Sequence, residues 1–273
     1  MTNFFSRPVS DTQITRRGRL WLYAVGAAVM CFLVLPTVIV APMSFSGSRY
    51  LEFPPREWSL LWYEYYFNSR EWLAATRTSL LAAALTALLA TPLGVAAAYG
   101  LAASGVRGTF VSLVLLSPMM VPVILSAVGI FYMFVQLGLV NTLGGLVLAH
   151  SALALPLVFI VSAAGLKSFD MNQERVARSL GASRLYAFWT ITLPQIRFSV
   201  VSGTLLAFLT SFDEVIVALF IAGGDNSTLT RAMFLALRDQ IDPTIASVST
   251  IMIVITSLLL AAAQMFGKES ETK

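Results

Sequence analysis

Charge is scarce in this chain: Asp, Glu, Lys and Arg make up 12% of its 273 residues, whereas 57% fall in the hydrophobic set. That balance excludes an ordinary soluble domain. With one cysteine, Cys31, no intrachain disulfide or thiolate metal site can form, and its place inside an apolar run makes it a packing residue. With one histidine, His150, no His/Cys constellation exists for a metal or a nucleophile, so the metal set is empty and a membrane-embedded hydrolase is set aside. A lone imidazole of this kind reads as a structural hydrogen-bonding group. No G-x-x-x-x-G-K-[ST] run is present, and Gly267-Lys268 alone resembles its end, so the chain has no ATPase site of its own. The formal charge of +4 comes from basic residues scattered near the ends of apolar runs rather than from a stripe with interleaved aromatics, which argues against nucleic acid.

What the chain has instead is long apolar runs. They cover roughly Leu20 to Pro42, Thr76 to Ala103, Thr109 to Leu137, Leu143 to Leu166, Phe198 to Ala222 and Thr244 to Phe266. Each reaches the roughly 20 residues needed to cross a bilayer core of about 30 Å. None shows the ten-residue apolar/polar alternation of a membrane barrel, so helices are expected, in an all-α membrane protein of about six transmembrane helices. The first run follows Arg7, Arg16, Arg17 and Arg19 but is longer than a signal-peptide core, and reads as a retained first helix. Pro36, Pro92, Pro118, Pro122 and Pro156 predict kinks. Gly94 with Ala98, and Gly100 with Ser104, have the spacing that permits close helix approach. Met119, Met120, Met133 and Met233 read as adaptable packing residues.

Orientation follows from the cations. With the N-terminus inside, the four N-terminal arginines, Arg107, Lys167, Arg175, Arg178, Arg184, Arg197, Lys268 and Lys273 lie on the cytoplasmic side. Arg49, Arg56, Arg70, Arg77, Arg231 and Arg238 lie opposite, so the positive-inside rule places both termini in the cytoplasm. The expected organisation is a cytoplasmic tail over 1–19, a transmembrane domain over 20–266 and a cytoplasmic tail over 267–273. The connection from Met43 to Trp72, with Trp58, Trp62, Tyr63, Tyr65 and Tyr66, suits a helix at the membrane interface or an aromatic belt. The outer loop from Gly223 to Thr228 is a turn-rich break, followed by charges that suit a docked protein or a solvated loop.

The segment from Lys167 to Arg197 is too polar at its start to span. Val176 and Leu180 share a helical face, Glu174, Arg175 and Arg178 provide a polar one, Gly181 is placed to end the helix left-handed, and Ser183 to cap a second helix. The resulting hairpin suits either a grip for a soluble partner or a rest on lipid.

Gly181, nine residues, Ile191, one residue, then Leu193-Pro194, preceded by Ala177, resembles the EAA loop of permease subunits in binding-protein-dependent ABC importers, here over 168–195. That family's loop docks its coupling helix into the ATPase subunit, and the resemblance assigns the role to Glu174, Arg175, Ala177, Gly181, Ala182 and Ser183. The usual Glu-Ala-Ala falls on Arg175, Val176 and Ala177, with Glu174 one position early. Ser117 to Pro122, Ala149 to Pro156 and Ser211 to Val215 are similar to the spermidine/putrescine branch, specifically its second permease subunit. The resemblance implies a type I ABC importer permease fold in the bacterial inner membrane, a related second permease, an ATPase dimer that holds the ATP and Mg, a periplasmic solute-binding protein, and no cofactor on this chain. It further implies a small cationic solute such as a polyamine, with an opine-like conjugate or another small cation as the alternative. Pro122 is followed by Val123 where relatives often carry an acid.

Asp213 and Glu214 are the only acids inside any of the six runs. Ionisable groups there are costly unless they face a partner or a watered path, so both are candidates for the substrate pathway. Pairing with a basic residue of the partner permease, or a place near the outer interface, is the alternative. An ion-coupled secondary transporter is the competing function, and the docking hairpin argues against it.

Overall fold

The computed structural model describes residues 20–104, 108–239 and 242–268. The tail 1–19 with its arginines, Arg107 and Lys273 lie outside the described residues. In chain order the helices are α1 (Leu20–Met43), α2 (Leu61–Asn68), α3 (Arg70–Ser104), α4 (Thr109–Met120), α5 (Val123–Leu137), α6 (Leu143–Ser168), α7 (Asn172–Ser179), α8 (Arg184–Ala187), a π-helical stretch Phe188–Thr192, α9 (Leu193–Gln195), α10 (Arg197–Asp213), α11 (Ile216–Ile221), α12 (Leu229–Asp239) and α13 (Thr244–Lys268). Among the described residues the only β pairing is an isolated bridge between Ser46 and Trp58. Helices α1, α3 and α6 are each long and apolar enough to cross a membrane, and two bent pairs raise the number to five by length and composition.

Two compact units form, residues 1–68 with 239–273 and residues 69–238. In the first, α13 packs against α1 and α2. The aromatic connection folds on itself: Ser44 shares a hydrogen bond of 2.7 Å with the Tyr63 hydroxyl, and Trp62 Nε1 donates to the Ser48 carbonyl at 3.0 Å. α1 has no buried residue, and Cys31 on it is exposed, so the packing expected of that thiol is not made among the described residues. An apolar helix that keeps most of its surface exposed is solvated by lipid or by another chain, since in water it would be an aggregation surface.

The second unit is built on α3, α6 and α10, which pack on one another. Small side chains allow this. Ala87, Ala90, Ala154 and Ala207 are buried with Val95 and Val158 in one cluster. At Gly94 an added Cβ would lie 2.7 Å from the Val158 side chain, so the backbones of α3 and α6 touch where neither could carry a larger residue. Gly100, expected to do the same, faces open space. A polar pin crosses the trio: His150 Nδ1 on α6 meets Ser211 Oγ on α10 at 2.8 Å, and Ser211 meets Thr86 Oγ1 on α3 at 3.2 Å. His150 is fully buried, in the hydrogen-bonding role expected of it.

Two of the six apolar runs are broken rather than continuous. The third bends by 97° between α4 and α5. Pro118 and Pro122 withdraw two amide donors four residues apart. At the first, Ser117 Oγ donates to the Val114 carbonyl at 2.8 Å, covering the acceptor Pro118 cannot serve, and the helix continues. At the second, Val121 is pushed into extended conformation with ψ 132°, as the residue before proline usually is, and the helix ends. Met119, Met120 and Met133, read as packing residues, are exposed on this bent pair. The fifth run breaks at Glu214, whose ψ is 117°.

Gly94→Ala should destabilise the protein by about 1–3 kcal/mol, the usual cost of overpacking, whereas Gly100→Ala, in open space inside the helix, should stabilise it by about 0.5–1 kcal/mol. Thermal unfolding in detergent checks this, and equal midpoints for the two variants would remove the close contact from the account.

Candidate functional site

The segment 168–195 forms the expected helix, glycine turn and second helix. Gly181 has φ 98°, in the left-handed region. Its N–H donates to the Arg178 carbonyl and that of Ala182 to the Ala177 carbonyl, each at 3.1 Å. This is a Schellman closure, the pair of bonds that satisfies the last carbonyls of a helix. The positive φ accounts for glycine at 181, while Ala177 and Ala182 enter the closure through their backbone groups. Ser183 caps α8 by accepting from the Tyr186 N–H at 3.2 Å. Both interactions are local, which is why the sequence predicts them.

The hairpin exposes a mixed surface. Val176, Leu180, Leu185, Tyr186 and Trp189 all lie open, Leu180 at 84% exposure, and Arg175, Arg178 and Arg184 are exposed among them. Arg175 Nη1 donates to Asn172 Oδ1 at 3.2 Å within its own helix.

Glu174 is placed differently from the expectation. Rather than sharing the polar face with Arg175 and Arg178, it turns inward and is 2% exposed. Its Oε1 accepts from the Tyr99 hydroxyl at 2.6 Å and its Oε2 from Thr192 Oγ1 at 2.8 Å. A buried carboxylate must be hydrogen-bonded, and two hydroxyl donors meet that need. Tyr99 and Thr192 were not anticipated. The available signals are a single aromatic in the Ala-rich end of α3 and a threonine two residues before Pro194.

Asp213 and Glu214 lie at the α10–α11 break, not in the interior of an unbroken span, and they differ in role. Glu214 Oε1 accepts from the Val217 N–H at 2.9 Å, capping α11, and its carbonyl accepts from Thr230 Oγ1 at 3.0 Å. Asp213 is the last residue of α10 and is exposed, with no ion-pair partner among the described residues. Helix C-termini carry partial negative charge and disfavour an acid, so Asp213 adds to a negative potential that the unpaired carbonyls of the last turn already create. α10 has 17 residues, placing Asp213 about 24 Å along the helix from Arg197. Phe208 and Phe212, on the same helix, stack with ring centroids 6.0 Å apart.

Residues 90–269 match the family model described as binding-protein-dependent transport system inner membrane component. The chain is 32% identical over 244 residues to the spermidine/putrescine transport system permease protein PotC of Haemophilus influenzae, covering 89% of this chain and 94% of that one. It is 30% identical over 243 residues to the putrescine transport system permease protein PotI of Escherichia coli K12, covering 85% of each. Among solved structures, a bacterial ABC transporter involved in import of the acidic polysaccharide alginate has a chain that superposes with a TM-score of 0.70 at 15% identity, over 93% of this chain and 99% of that one.

Gly181→Val should open the Schellman closure, because a β-branched residue at positive φ costs more than the roughly 1–2 kcal/mol charged to an ordinary side chain. Gly181→Asn should retain it. Hydrogen exchange at the Ala182 amide reads the difference, and equal protection in both variants would show that the closure does not depend on glycine.

Proposed function

The chain belongs to the inner-membrane components of binding-protein-dependent transport systems, and from that premise we propose that it imports a small organic cation of the polyamine class by docking an ATPase on its 168–195 hairpin. Its type I importer permease fold and its multi-pass place in the membrane follow from the family and the fold. The docking assignment rests on the doubly closed hairpin, whose exposed cap mixes apolar side chains with three arginines. Such a cap suits a groove with an apolar floor and acidic edges better than it suits lipid headgroups alone, because Leu180, Tyr186 and Trp189 would stay unburied on a flat surface.

In this reading the hairpin faces the cytoplasm, with both termini on the same side. ATP and Mg are bound by the partner ATPase dimer, a second permease completes the pathway, and a periplasmic protein delivers the solute. Docking is assigned to Arg175, Ala177, Gly181, Ala182 and Ser183, with Arg175 supplying a positive charge where the family's loop usually carries an acid. Closure of the ATPase dimer moves the hairpin as one body and the spans follow it.

Support for a cationic solute comes from the polyamine relatives and from Asp213. A carboxylate at the C-terminal end of a broken helix, with helix carbonyls beside it, attracts an ammonium group, and stacked aromatic rings on the preceding turn add apolar and cation–π contact for an alkyl amine. Glu214 is committed to the α11 cap, so the free charge at the break is that of Asp213. One such charge holds a cation weakly, which suits passage rather than storage.

Asp213→Asn should raise the KM for labelled putrescine or spermidine uptake by about tenfold, a loss of roughly 1.4 kcal/mol, while the ATPase remains bound. Unchanged kinetics would take Asp213 off the pathway. Arg175→Glu should reduce ATPase recovered with the tagged chain from solubilised membranes by a similar factor. Full recovery from that variant would remove the charge of Arg175 from the docking account.

A further inference from the structure

We propose that Glu174 is a positioning residue that links the hairpin to α3 and carries its motion into the membrane, rather than part of the surface that meets the ATPase. The inference rests on the reading that the hairpin docks an ATPase, and concerns what happens on the other side of that contact.

Both carboxylate oxygens of Glu174 are engaged, by hydroxyls from two different segments: Tyr99 near the end of α3 at 2.6 Å and Thr192 in the π-helical stretch at 2.8 Å. Hydrogen bonds to a carboxylate are short and roughly twice as strong as neutral ones, and removing one partner from a buried site leaves the other oxygen desolvated without return. Around them the hairpin closes on the Tyr99 ring. Phe188 lies against it with centroids 4.7 Å apart, the Arg184 guanidinium sits over it at 5.3 Å, and Arg184 Nε approaches its hydroxyl at 3.4 Å.

Packing of α7 is chiefly with α8 and the π-helical stretch. Side-chain hydrogen bonding through Glu174, rather than helix-on-helix packing, therefore joins α7 to α3. The exposed Arg175, Val176 and Leu180 are left on other faces of the hairpin. Position 174 thus looks inward while its immediate neighbour looks outward, a division of labour between one acid and one base. The π-helical stretch adds a reason for motion to pass here, since π-bulges are uncommon, poorly bonded turns that recur at functional sites.

The test uses the complete transporter, with its ATPase, second permease and binding protein, reconstituted in liposomes. Glu174→Gln and Tyr99→Phe are compared with the unmodified chain for ATPase retained, ATP hydrolysed and solute imported. Each variant should retain ATPase within about twofold yet import about tenfold less solute per ATP, as loss of a charged hydrogen bond implies. The double variant should be no worse than the more severe single one, because both remove the same link. An unchanged ratio of solute to ATP in both single variants overturns the proposal. So does loss of ATPase from Glu174→Gln in step with uptake, which would put Glu174 on the docking surface. If Glu174→Gln fails to accumulate in the membrane, Tyr99→Phe decides alone, since it removes one hydroxyl and keeps the ring. Failure of the unmodified chain to retain any ATPase would instead sink the docking reading, and this inference with it.

Discussion

Backbone groups shielded from water must be bonded, and the prolines and turns of this chain show several local ways in which that demand is met. At Pro118 a serine hydroxyl takes over a carbonyl that proline cannot serve, so the helix survives. At the α10–α11 break a glutamate carboxylate takes an amide that the short α11 would leave bare. At Gly181 the last carbonyls of α7 are closed by the two amides that follow. At Pro122 the residue before proline turns extended and α5 begins anew. The turn geometry, the position of Asp213 and the stiffness of the hairpin all follow from these local solutions.

The same demand divides three acids among three tasks. Glu174 is buried and spends both oxygens on hydroxyls. Glu214 is half-buried and spends one oxygen on a helix amide. Asp213, one residue earlier in the chain, is exposed and carries no ion pair among the described residues. Adjacent acids in an apolar stretch look equivalent on paper, yet Glu214 is bonded into the architecture and Asp213 is exposed. The difference comes from the break itself, which gives Glu214 an amide to bind and leaves Asp213 at the electronegative end of α10.

Features whose causes are local were legible in the sequence. The apolar runs, the left-handed Gly181 and the Ser183 cap depend on residues a few positions apart, and the structure has them where expected. The bend at Pro122 falls on one of the prolines that predict kinks, whereas mean apolarity runs straight through Glu214 and does not register a turn. The inward orientation of Glu174 was not legible at all. Its partners lie 75 and 18 residues away, and by periodicity alone it shares a polar face with Arg175. Gly94 and Gly100 make the same point for packing: both sit in small-residue pairs on α3, but only Gly94 meets another helix.

These particulars converge on α3. Near one end Tyr99 is held by the hairpin through Glu174, Arg184 and Phe188. Five residues earlier Gly94 abuts Val158, so α3 cannot rise off α6 without opening a gap. Further along, Thr86 bonds Ser211, which bonds His150 and lies two residues before Asp213. From Tyr99 to Thr86 is thirteen residues, about 20 Å of continuous helix. A helix is stiff along its axis, and side chains packed at crystalline density shift between discrete arrangements rather than deform smoothly. Under the proposed docking, a displacement at the hairpin would reach the neighbourhood of Asp213 along α3, which is hydrogen-bonded at Tyr99 near its end and at Thr86 in its middle, with Pro92 between them. The carboxylate of Glu174, buried beside the exposed Arg175, offsets its desolvation with hydrogen bonds to hydroxyls of two segments, one of them α3.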